Sequence, residues 1–92
     1  MIRSFRDPEA QKLFNDEFSK KYGAIERTAR RKLTMLDEAE TLHDLTVLPG
    51  THLEALGRDR KGQHSIRIND QFRICFTWKN GNAENVEIVD YH

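Results

Sequence analysis

The 92-residue sequence predicts an α+β fold, with two N-terminal helices packed on one face of a small, mainly antiparallel sheet of about four strands. Three observations carry that expectation. Apolar residues recur at helical spacing through the first half, and the second half switches to period-two alternation. Asn80-Gly81 then supplies a strong two-residue hairpin signal between two alternating segments.

Taken in order, residues 1–5 read as a short strand with Ile2 and Ser4 on one face. Asp7-Pro8 opens a helix, because aspartate caps the first N–H groups and proline fits the first turn, where its missing N–H costs nothing. Ala10, Leu13, Phe14 and Phe18 give that helix an apolar stripe, and Gly23 is the expected stop. A longer helix is predicted over residues 24–42, with Ile25, Ala29, Leu33, Leu36 and Ala39 facing the core. Arg27, Arg30, Arg31 and Lys32 fall largely off that stripe, as a solvated face or an RNA contact. Pro49-Gly50 closes the helical half. Residues 65–69 and 72–78 alternate polar and apolar around an Asn69-Asp70 turn, and residues 86–89 form the last strand. The result is a three-strand antiparallel meander joined by the N-terminal strand.

Alternation also sorts the side chains by face. If Ile66, Ile68, Phe72, Ile74, Phe76 and Trp78 face the helices, Arg67 and Arg73 point the other way. In the last strand Val86 and Ile88 face the helices, which places Glu87, Val89 and Tyr91 on the arginine face. Asp90 and His92 then stand at the strand end.

Charged residues make up 33% of the chain and hydrophobic ones 37%, enough to fold one domain, 1–92, with a modest core. No apolar run approaches the roughly 20 residues of a membrane span, and the N-terminus lacks the apolar stretch of a signal peptide. A cytoplasmic location is therefore expected. Cys75 is the single cysteine, so no internal disulfide can form. The four histidines show no close-spaced pair, so neither a zinc site nor any other metal or cofactor is expected. Gly57 and Gly62 are isolated and make no phosphate loop.

The balanced net charge gives no reason by itself to propose a nucleic-acid partner. Its distribution is uneven: residues 51–79 hold six lysines and arginines against three acids, whereas residues 80–92 hold only acids, Glu84, Glu87 and Asp90. A basic middle beside an acidic tail suggests a site, with an ordinary solvated surface as the alternative.

Four segments carry a family resemblance. Ala29-Arg30-Arg31-Lys32-Leu33, Leu53-Glu54-Ala55-Leu56, the run from Gly62-Gln63-His64-Ser65-Ile66-Arg67 through Asn69-Asp70-Gln71-Phe72-Arg73, and the ending Val86-Glu87-Ile88-Val89-Asp90-Tyr91-His92 resemble the HigB toxins of the RelE/ParE superfamily. The likeness spans nearly the whole chain. It implies a ribosome-dependent, metal-independent endoribonuclease that cuts messenger RNA during translation. It also implies a helix-turn-helix antitoxin, HigA-like, that holds the toxin inactive and carries any contact with operator DNA. The family's active-site pattern falls on Asp90, Tyr91 and His92, with Arg73 as a phosphate-binding candidate. Some members place a histidine in the loop before the second strand. Glu54 stands there in this chain, as a general base or as a contact for a neighbouring arginine.

RNA is cleaved without metal when its own 2′-hydroxyl attacks the adjacent phosphorus. That reaction needs a base, cationic donors on the phosphate oxygens and an acid at the leaving 5′-oxygen. Histidine as a residue type exchanges protons near physiological pH, so His92 suits the acid role, with Asp90, Glu54 or another histidine as base. Arg73 can grip a phosphate bidentately, and Tyr91 can stack on a base or hydrogen-bond to the phosphate. Arg58, Arg60, Lys61, His64 and Arg67 are further candidates for RNA contact, against a reading of 58–61 as a plain hydrophilic turn. Two other functions share the architecture, since fold does not fix function. One is a ParE-like inhibitor of DNA gyrase and the other a binding module whose only role is to complex a protein.

Overall fold

The computed structural model describes residues 1–91. Helix α1 spans Pro8–Phe14, α2 spans Glu26–Glu38 and α3 spans Leu42–Val47; strands β1 (Glu54–Ala55), β2 (Gln63–Arg67), β3 (Phe72–Lys79) and β4 (Asn82–Asp90) follow. The strands form one antiparallel sheet in the order β1-β2-β3-β4. The α+β expectation and its helix-covered sheet therefore hold.

The local signals explain several boundaries. Asp7 caps α1 by accepting from the Glu9 N–H at 3.0 Å, with Pro8 at the first helical position. Asn80 and Gly81 both take positive φ, 52° and 79°, as the tight turn between β3 and β4 requires. Ala10, Leu13, Ala29, Leu33 and Leu36 from the helices meet Ile66, Ile74, Phe76, Val86 and Ile88 from the sheet, with Ile68 from the turn after β2, in one buried cluster. Each large aliphatic side chain sequestered there contributes roughly 1.5–3 kcal/mol.

Four expectations are corrected. First, α1 stops at Phe14, because Asp16 turns into the left-handed region (φ 60°) and Arg30 Nε donates to the Leu13 carbonyl at 2.8 Å. Phe18 consequently leaves the apolar stripe and is 73% exposed, while Ser19 and Tyr22 are buried. Second, the long helix breaks at Ala39. Thr41 and Asp44 form a capping box that starts α3, each satisfying a backbone N–H of the other's end. Third, Lys32 is buried, with its ammonium donating to the Gly50 carbonyl at 3.0 Å. Fourth, the fourth strand of the sheet is Glu54–Ala55. The N-terminal segment instead runs parallel beside β4 through isolated bridges, Ile2 to Ala83 and Phe5 to Val86. Ser4 is exposed there and accepts the Asn85 N–H.

Candidate active site

The strand register assembles the site on the face away from the helices. Glu54, Ser65, Cys75 and Glu87 are successive cross-strand partners, so they form one row across all four strands. The two outer members are acidic, and the two inner ones, Ser65 and Cys75, are fully buried. In the next row Arg67 is directly opposite Arg73, and Arg73 is opposite Val89. Like charges placed this way repel, and each arginine has its own anchor.

Arg73 is held most firmly. Its Nε donates to Ser65 Oγ at 2.7 Å, and Nη2 donates to the carbonyls of His52 (2.5 Å) and Ser65 (3.3 Å). His52 presents that carbonyl from a left-handed backbone conformation, φ 44°. Glu54 lies 4.0 Å from Nη1, which makes its carboxylate a neighbour of this arginine. Arg67 is turned aside to an ion pair with Asp70.

Tyr91 follows the end of β4 and donates its N–H to the Gln71 carbonyl at 2.7 Å. Its ring is 6.0 Å from the Arg73 guanidinium, in cation–π range, and its hydroxyl is 3.9 Å from Cys75 Sγ. Burial, followed by the neighbouring Cys75, pushes the Tyr91 hydroxyl above its usual value, while Arg60 and Arg73 oppose the shift. Burial likewise raises the Cys75 thiol. Both groups are protonated at neutral pH, so Tyr91 offers a hydrogen-bond donor beside Arg73. Asp90 is exposed and accepts from Gln71 Nε2 at 3.0 Å. His92, the proton-transfer candidate, lies outside the described residues.

On the other side of the row, Arg60 reaches down from the 58–61 loop. Its Nη1 donates to Glu87 Oε2 and Gln63 Oε1, both at 3.1 Å, and Arg6 approaches the same Glu87 oxygen at 3.7 Å. The bond to Glu87 is the main reason the Arg60 guanidinium is held above its ordinary value. Arg58 and Lys61 occupy the exposed rim of that loop. His64 sits apart, because its partner across the sheet is Phe76 and its ring stacks on Phe76 at 6.2 Å, on the helix-facing side.

The site residues that sequence reasoning left unassigned are Ser65, His52, Gln63, Glu87 and Arg6. Alternation already put Glu87 on the arginine face. The His52 contribution is a main-chain carbonyl and leaves no signal in residue type.

A family model describing the RelE-like toxin of the type II toxin–antitoxin system HigB matches residues 3–92. The chain belongs to the HigB-like toxin family. This HigB-like toxin is 36% identical over 87 residues to Toxin HigB-1 of Vibrio cholerae, covering 92% of each chain. It is also 31% identical over 84 residues to an uncharacterized protein of Haemophilus influenzae, covering 89% of this chain and 83% of that one. Among solved structures it resembles YoeB in a heterotetrameric YoeB–YefM toxin–antitoxin complex from Staphylococcus aureus (TM-score 0.61, 19% identity, 100% and 98% of the two chains). The YoeB dimer of the same organism gives a TM-score of 0.58 at 18% identity, over 99% and 97%. At that identity the structures speak for a shared fold. The HigB-like toxin is thus a type II toxin of a toxin–antitoxin system with a RelE-like architecture, and among its described residues no helix is long and apolar enough to cross a membrane.

Proposed function

We propose that this toxin is a ribosome-dependent endoribonuclease that cleaves translated messenger RNA through attack of the 2′-hydroxyl on the adjacent phosphate. The observation that carries the proposal is the fixed Arg73 guanidinium, anchored by Ser65 and His52 and facing the protonated Tyr91. A preset cation and a neutral donor on one face are what a phosphate gaining negative charge needs, and a donor of this kind is worth ~10²–10³-fold in rate.

In this mechanism Arg73, whose Nε and Nη2 are already engaged by Ser65 and His52, offers a non-bridging phosphate oxygen its remaining Nη1 edge rather than a bidentate fork, and Tyr91 donates to the same group or stacks on a base. A carboxylate, Glu54 or Asp90, takes the proton from the 2′-hydroxyl as its oxygen bonds to phosphorus. His92 gives a proton to the departing 5′-oxygen. The products are a 2′,3′-cyclic phosphate and a 5′-hydroxyl, with no metal or cofactor taking part. Arg58, Arg60 and Lys61 hold flanking phosphates of the message or of ribosomal RNA. A HigA-like helix-turn-helix antitoxin neutralises the toxin in the cytoplasm, and operator DNA is touched through that complex.

Mapping transcript ends after induction tests the proposal. New 5′-hydroxyl ends inside translated frames, absent with His92→Ala, are expected. Growth arrest with intact messages would refute it, and DNA damage insensitive to His92→Ala would point instead to gyrase.

A further inference from the structure

We propose that Glu87 is a positioning residue that fixes Arg60, and with it the basic 58–61 loop, as a second phosphate-binding edge beside Tyr91. This rests on the endoribonuclease proposal for its RNA ligand, and on geometry for the clamp itself. Glu87 sits in β4 at the end of the Glu54–Ser65–Cys75–Glu87 row, with a side chain only 17% exposed. Its Oε2 is shared by Arg60 at 3.1 Å and Arg6 at 3.7 Å, so one half-buried carboxylate gathers two guanidiniums from separate segments. Gln63 Oε1 takes a second bond from the same Arg60 nitrogen.

The loop needs such an anchor. Arg58 adopts φ 53°, a conformation that costs a non-glycine residue energy and persists only where the surroundings hold it. Its short 3₁₀ turn, Arg58–Arg60, has no side-chain cap. The bonds from Arg60 to Glu87 and Gln63 tie the turn to the sheet. The two arginines outweigh the carboxylate, so the cluster keeps a net positive charge for a phosphate. The row layout places this cluster on one side of Cys75 and the Arg73–Ser65 pair on the other, strands being about 4.8 Å apart. The Tyr91 hydroxyl approaches Cys75 between them. An RNA strand crossing the sheet thus meets Arg73 and then Arg60 and Arg6.

The role separates cleanly from bulk electrostatics, because the two give opposite signs. Removing a negative charge beside the RNA raises attraction for phosphate, whereas losing a clamp misplaces Arg60. Glu87→Gln, Arg60→Ala and the double variant are compared in ribosome-dependent cleavage under single-turnover conditions, with amide exchange of residues 58–62 measured alongside. Glu87→Gln is expected to lower the rate roughly 10–100-fold and to speed exchange in the loop more than in the rest of the sheet, with the assay run well below the variant's melting temperature. In the Arg60→Ala background it changes the rate by less than about two-fold, since the clamp has nothing left to position. A Glu87→Gln variant that cleaves as fast as wild type or faster, or that costs the same factor in both backgrounds, overturns the proposal. Unchanged loop exchange overturns the clamp whatever the toxin cuts. Faster exchange with no message cut by the wild type supports the clamp and refutes the nuclease proposal alone.

Discussion

Ser65→Ala tests how Arg73 is held. Ser65 is fully buried beneath the arginine, and its hydroxyl takes the 2.7 Å bond from Nε. The substitution removes one oxygen and leaves the bonds from Nη2 to the His52 and Ser65 carbonyls. A hydrogen bond to a charged group contributes roughly 1.5–3 kcal/mol, and the missing oxygen strands a half-buried N–H. Taking about 2 kcal/mol, the melting midpoint of a chain this size falls by roughly 8–16 °C. If the same energy is lost where the phosphate gains charge, cleavage slows about 30-fold. Thermal melting and single-turnover cleavage, run below the lowered midpoint, read the two effects separately. A normal melting temperature with a normal rate would refute the claim that Ser65 sets Arg73. Lower stability with an undiminished rate would show that the bond holds the sheet and not the chemistry.

The remaining predictions concern the supports of the site. Backbone N–H groups of Glu40 and Thr41 hold the Asp44 carboxyl below its ordinary value of 3.8. Its contribution is therefore present above that pH and disappears as pH falls through the lowered folded value. The melting advantage of wild type over Asp44→Asn should be full at pH 6 and vanish in strong acid; an advantage that survives there would contradict the capping box. The buried, protonated Cys75 thiol should resist alkylation at pH 8 until denaturant is added, and rapid labelling of the native chain would show that Tyr91 does not cover it. Leu36→Ala should cost about 2–5 kcal/mol, while Phe18→Ala stays within about 0.5 kcal/mol. Comparable costs in denaturant titration would place Phe18 back in the core.

Side-chain periodicity and turn chemistry are local properties, and what they govern was readable in advance. Asp7-Pro8 and Asn80-Gly81 mark real boundaries, and period two assigned Arg73, Glu87 and Tyr91 to one face. Phe18 misled because spacing does not record where a helix stops, and Arg30 closes α1 from seventeen residues away. The Thr41–Asp44 capping box was a local signal overshadowed by the apolar stripe running through Ala39. Lys32 is buried by a turn carbonyl at Gly50, a tertiary fact with no residue-type signature. His64 alternates onto the helix side, so its place in a basic stretch did not bring it to the site. The Arg73 anchors combine a side chain from β2 with a main-chain oxygen from the preceding loop, which only the folded chain brings together.

The most direct measurement is single-turnover cleavage of a ribosome-bound message by the Arg73→Ala and Arg67→Ala variants. The two arginines are cross-strand partners of equal charge, one anchored beside Tyr91 and the other paired with Asp70. The geometry predicts a loss of about 10²-fold or more for Arg73→Ala and 5′-hydroxyl products wherever cleavage persists, with Arg67→Ala close to wild type. Equal losses for the two variants, or a wild-type toxin that leaves the message whole, would contradict it.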